Sequence, residues 1–88
     1  MTTSYLTLTQ EVSAQVAQLR ADIPDTMRGF SAMAQAAGKD GVLDKKTKEL
    51  IALALSVGAR CEPCVGFHAQ ALVQLGATRQ EVAETLGM

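Results

Sequence analysis

The stretch Leu50–Val57, LIALALSV, is apolar almost all the way round once it is wound into a helix. Such a helix has no face to give to water, so it lies at the centre of its fold or beneath another subunit. The chain has only 88 residues, near the lower end of what one hydrophobic core stabilises. So short a chain has little material with which to cover a helix on every side. A homo-oligomer is therefore expected, built from a single helical domain over residues 1–88.

The sequence around that stretch reads as further helices and no strand. Apolar residues make up 48% of the chain, yet there is no Trp, one Tyr and two Phe. A core rich in Ala and Leu suits close-packed helices better than sheet. An all-α domain of about five helices is expected. The first begins near Thr7–Thr9, where Thr7 and Gln10 have the spacing of a capping box, and carries Val12, Val16, Leu19 and Ile23 as its apolar stripe. Pro24 ends it. The second runs from about Asp25, buries Met27, Phe30, Met33, Ala34 and Ala37, and places Gly38 at C′. Asp44 caps the third, Lys45 to Ala59, whose lysines 45, 46 and 48 read as a solvated face. Pro63 suits the first turn of the fourth, which turns Val65, Ala69, Leu72 and Val73 inward and stops at Gly76. Thr78 and Glu81 form a capping box for the fifth, with Val82, Ala83 and Leu86. The sequence stops at Met88 with apolar residues still arriving. That ending predicts truncation within the C-terminal helix, or an end completed by a partner.

Charge and composition exclude several functions. Eight basic and nine acidic residues form no basic stripe, and there are almost no aromatics to stack on bases, so nucleic acid is not the partner. No apolar run is long enough to span a bilayer. The opening MTTSYLTLTQE has no signal-peptide pattern, and a cytoplasmic location is expected. In a reducing cytosol a Cys pair is more often catalytic or metal-binding than a staple. Closing the tiny loop between Cys61 and Cys64 would also contribute little chain entropy.

Chemistry concentrates at Glu49, Cys61, Cys64 and His68, spaced E-x11-C-x2-C-x3-H. These include both cysteines and the one histidine of the chain. Cys61 falls at the cap of the fourth helix and Cys64 in its first turn, where partial positive charge and free N–H groups favour thiolate over thiol. A thiolate attacks a peroxide O–O bond or a disulfide, and a second thiol resolves the product as an internal disulfide. His68 lies one turn beyond Cys64 on the same face, placed to exchange the thiol proton. Glu49 shares a face with Leu53 and Ser56 on the third helix, from which it could reach His68 and fix its tautomer.

Other readings compete. A structural zinc site could use the same four residues, although such sites usually carry more Cys and His. Covalent haem attachment needs His directly after the second Cys, where Val65 stands. Two inert core cysteines and a structural histidine are the plainest alternative. A thioredoxin fold would set C-x-x-C in a βαβ frame, and a helical segment precedes it here.

The segment LDKKTKELIALALSVGARCEPCVGFHAQALVQLGATRQEVAETL, Leu43–Leu86, resembles the carboxymuconolactone decarboxylase and alkyl hydroperoxidase D superfamily. The resemblance implies that superfamily's all-helical fold and assembly into trimers or hexamers. The decarboxylase branch lacks the Cys pair, so the resemblance places this chain on the peroxidase-like branch. It implies that Cys64 attacks peroxide, that Cys61 resolves, and that Glu49 and His68 relay protons. The implied activity is an antioxidant, peroxiredoxin-type reduction of hydroperoxides or thiol–disulfide exchange. No metal or organic cofactor is needed, and a dithiol reductant resembling a lipoyl-bearing protein resets the cycle. A metal-stabilised or structural oligomeric module, or lactone decarboxylation, are the alternative functions. The sequence departs from the family at Pro63, where the best-studied members have a His before the second cysteine, and the family pattern continues past Met88.

Overall fold

The computed structural model describes residues 4–88, and among them every regular element is a helix. Five occur in order: α1 Tyr5–Asp22, α2 Pro24–Gly38, α3 Lys45–Gly58, α4 Glu62–Gln74 and α5 Arg79–Gly87. The all-α expectation stands. α4 packs against both α3 and α1, α2 joins α1 to α3, and α5 folds against α3.

Local chemistry explains most of the boundaries. The Ser4 side chain accepts from the Thr7 N–H, so α1 starts one turn before the expected Thr7–Gln10 box. Thr7 is the donor that Ser4 caps rather than the cap itself. Pro24 breaks the chain at Ile23 and opens α2 at its first position, where a missing N–H costs nothing. Asp44 caps α3, accepting from the Thr47 N–H at 2.8 Å. Thr78 and Glu81 close their capping box reciprocally on α5, at 3.0 and 2.8 Å. Gly76 takes φ 74° past the end of α4, a conformation glycine adopts without penalty.

Two of the three lysines of α3, Lys46 and Lys48, depart from the solvated face expected of them. Lys46 pairs with Glu81 of α5 at 2.7 Å. The Lys48 ammonium donates to the carbonyls of Ala37 at 2.9 Å and Lys39 at 2.6 Å, tying down the open end of α2. Both are clamps between elements.

Burial is sparse. The buried apolar side chains among the described residues are Met27, Leu53 and Leu72. The expected core positions Phe30 and Met33 on α2, Leu19 on α1, Ile23 between the two helices, and Val73 on α4 are exposed within one chain. α3 does both things its sequence allowed. Leu53 and Ser56 are buried, while Ile51, Leu55 and Val57 face outward. The buried position on α1 is Thr9, outside the predicted stripe. It sits against Gly66, at which an added Cβ would come within 2.3 Å of the Thr9 methyl.

Candidate active site

α3 and α4 carry every candidate residue, and the turn between them sets the spacing. The Ala59, Arg60 and Cys61 N–H groups donate back to Leu55, Val57 and Ser56, closing the end of α3. The chain reverses at once into α4, with Cys61 as its N-cap. The Cys61 sulfur accepts from the Cys64 N–H at 3.3 Å, a capping contact in which sulfur takes the usual place of oxygen. Pro63 occupies the first turn, where it removes no helical hydrogen bond.

The two sulfurs are bonded to each other, with 5.2 Å between the α-carbons of Cys61 and Cys64. Both cysteines are half-buried, so the bond is within reach of a small reagent. The turn-and-cap geometry explains the pairing. A cap residue and the third residue after it bring their side chains to the same side of the helix mouth.

His68 is the second half of the site. Its Nδ1 lies 2.6 Å from a carboxylate oxygen of Glu49, across the α3–α4 interface. With the carboxylate as acceptor, Nδ1 donates this hydrogen bond and Nε2 is left outside the pair. Glu49 is 20% exposed and His68 35%, which favours a fixed pair over a solvated one. Glu49 is thus not an ordinary surface acid. It also lines an open cavity of about 440 Å³ with Ala34, Gln35, Gly38, Lys39 and Lys45, leaving the carboxylate in touch with solvent on the α2 side.

All four sequence-derived residues therefore fall into two bonded pairs, Glu49 with His68 and Cys61 with Cys64. Helical register joins the pairs, since His68 follows Cys64 by one turn. Among the described residues no hydrogen bond links either sulfur to the imidazole in this disulfide form. Nor do three or more His, Cys, Asp or Glu residues gather as a metal-binding group among them. A residue that sequence reading passed over is Arg60. It has φ 57°, the one positive φ outside glycine among the described residues.

The chain is similar throughout to known proteins. A crystal structure of apo-lpg0406, a carboxymuconolactone decarboxylase family protein from Legionella pneumophila, superposes with a TM-score of 0.93 at 56% identity. That match covers 96% of this chain and 75% of the other. An uncharacterized protein of Cupriavidus necator is 39% identical over the whole of this chain, which spans 78% of that relative's length. Another from Haemophilus influenzae is 40% identical over 80% of this chain and 62% of its own. Residues 24–88 match the model of the carboxymuconolactone decarboxylase family, from the first residue of α2 through the whole candidate site. With that match and these relatives, the chain belongs to the carboxymuconolactone decarboxylase family.

Proposed function

We propose that this family member is an antioxidant thiol enzyme, reducing hydroperoxides or exchanging disulfides by cycling Cys61 and Cys64 between dithiol and disulfide. One observation carries the reading. A carboxylate-held imidazole sits one turn along α4 from a disulfide at the helix mouth.

In the reduced form His68 takes the proton of Cys64 through Nε2, and Glu49 stabilises the resulting imidazolium. The Cys64 thiolate attacks the peroxide. The O–O bond breaks, the alcohol leaves with the proton, and Cys64 becomes a sulfenic acid. The Cys61 sulfur attacks that sulfur, water leaves, and the disulfide forms. One hydroperoxide and two thiols give one alcohol, one water and one disulfide. A dithiol reductant, of the lipoyl class in the reading above, then exchanges twice and is itself oxidised to a disulfide. Pro63 supplies no second imidazole, so His68 alone exchanges protons with the sulfurs in this scheme.

The working form is proposed to be a homo-oligomer, a trimer or hexamer, acting in the cytoplasm. The exposed apolar faces of α2 and α3 support assembly. No described helix is long and apolar enough to cross a membrane.

The test is turnover of cumene hydroperoxide with dihydrolipoamide. Wild type is expected to turn over and Cys64→Ser to lose activity. Cys61→Ser is expected to accumulate a sulfenic acid that dimedone traps at Cys64. Full turnover by Cys64→Ser would remove that residue from its role. Conversion of a carboxylactone by protein lacking both thiols would move the chain to the decarboxylase reading.

A further inference from the structure

Glu49 faces two ways. On one side it meets His68 Nδ1 at 2.6 Å. On the other it lines the cavity of about 440 Å³ between α2 and α3. The wall across that cavity is the last turn of α2 and its cap, with Ala34, Gln35, Gly38 and Lys39. Such a wall is the open end of a helix, whose last carbonyls have no partner within the helix.

Lys48, the residue before Glu49, supplies that partner. Its ammonium donates to the Ala37 carbonyl at 2.9 Å and the Lys39 carbonyl at 2.6 Å, on either side of Gly38. The following loop closes on the same group, since a Cβ added at Gly41 would lie 3.8 Å from the Lys48 nitrogen. Among the described residues no carboxylate pairs with Lys48, and its two bonds are the ones that α3 makes to the end of α2. The neighbouring bond from the Lys45 N–H to Asp40, at 2.7 Å, ties the loop and not the helix. We infer that Lys48 is a positioning residue for Glu49, fixing the end of α2 across the cavity and so limiting the water that reaches the carboxylate holding His68.

This deepens the proposed proton relay and rests on it. A hydrogen bond between a carboxylate and an imidazole weakens as water surrounds it, because the effective dielectric rises. With α2 held in place, Glu49 is only 20% exposed. With Lys48 cut back, the end of α2 loses both bonds and opens locally. The cavity widens, the carboxylate takes up water, and its hold on the His68 N–H loosens. The orientation of the imidazole towards Cys64 loosens with it. The other charged groups on this cavity are Lys39 and Lys45, and neither forms an ion pair with Glu49.

His68 is the one histidine of the chain, so its Nδ1–H gives a single imidazole NMR signal whose exchange with water can be followed. In the full chain, Lys48→Met is expected to speed that exchange about tenfold, while the amides in the middle of α4 exchange as in wild type. Lys45→Met removes a charge from the same cavity but leaves the clamp, and is expected to keep the rate within about twofold of wild type. Should the Met variant not fold, Lys48→Gln, which retains a donor of shorter reach, is read in its place with the same sign. The second readout is single-turnover oxidation of pre-reduced protein by cumene hydroperoxide. Lys48→Met is expected to slow it several-fold in the wild-type background and not in Glu49→Gln, because the effect passes through Glu49. Unchanged Nδ1–H exchange, or an equal slowing with and without Glu49, would leave Lys48 a tie for α2 alone, and the inference falls. Faster exchange in a protein whose wild type reduces no hydroperoxide would uphold the placement and sink the proposed activity.

Discussion

Glu49 meets His68 at Nδ1, 2.6 Å away, so in the proposed relay each residue has a separable part in moving one proton. His68→Gln is expected to lower hydroperoxide turnover by about two orders of magnitude, the usual scale for losing a proton-transfer group. Glu49→Gln should cost less, since the imidazole remains and only its tautomer and its charge partner are lost. Single-turnover kinetics on pre-reduced protein measure both, and equal rates in all three proteins would exclude the relay. These residues were legible in the sequence because the links within α4 are local: a cap, a helix start, and a spacing of one turn. Glu49 was legible as a residue on a face from which it could reach His68, and the resemblance paired the two, though the contact itself is tertiary. Thr9 and Gly66 were not foreseen. Their contact joins α1 to α4 across the fold, and its only local trace is a glycine inside a helix, which often marks close backbone approach. Gly66→Ala is expected to destabilise the fold by about 1–3 kcal/mol, because the new methyl meets a buried β-branched side chain with little room to move. A shifted urea midpoint with an unchanged slope is the measurement.

The helices owe their boundaries to caps and their arrangement to charges that reach between elements. Glu81 serves both ends of this logic, since it closes the box with Thr78 and pairs with Lys46 of α3. The Lys46 ammonium, and then the Thr78 N–H, hold the Glu81 carboxyl below its ordinary range. Thr47, through its side chain and its backbone N–H, does the same to Asp44. The Lys46 ammonium is held above its ordinary range by Glu81. Lowered carboxyls contribute stability that is present above their unfolded values, about 4, and is lost as pH falls through the lower folded values. The raised lysine contributes below its unfolded value, about 10.4, and loses that contribution as pH rises through the folded one. Thermal stability is therefore expected to be level between these limits and to fall on both sides, with the acid-side loss smaller in Glu81→Gln. A scan of Tm against pH checks the pattern. Thr78→Ala should cost about 1 kcal/mol by removing the cap alone. Sequence predicted the Asp44 and Thr78 caps because each is a polar residue directly before a helical pattern. It misplaced the first cap because Thr7 and Gln10 matched a box by spacing, while Ser4 one turn earlier made the bond. The Lys46 clamp depends on how α5 folds back on α3, which no local pattern records.

At the scale of the molecule, the chain is more extended and more exposed than a compact domain of its length. The radius of gyration is 14.1 Å, against about 12 Å expected for a compact chain of this length. The accessible surface is 6595 Å², where a folded monomer of 9.3 kDa exposes about 5,000 Å². That excess, about 1,600 Å², is twice the roughly 800 Å² that one partner buries in a standard interface. An excess of that size is what two neighbours in the proposed ring would cover. The helical pattern in the sequence identified which residues are apolar and which side of each helix they share. It could not tell a face packed inside one chain from a face packed against another, because periodicity looks the same in both. Phe30, Met33 and Leu55 are cases in point, apolar at regular positions yet 56%, 65% and 68% exposed. Leu55 is the sharpest probe, because it borders an apolar cavity of about 390 Å³ with Leu50, Ile51, Ala54, Thr85 and Met88. On a monomer's surface Leu55→Glu would shift stability by no more than about 0.5 kcal/mol. In an interface it buries a charge without a partner and separates the copies. Sedimentation equilibrium is expected to give a multiple of 9.3 kDa for the wild type and a smaller species for Leu55→Glu. The wild-type Tm should also rise with protein concentration, a dependence that the dissociated variant loses. A wild type that sediments as a monomer at every concentration would leave its apolar faces to some other partner.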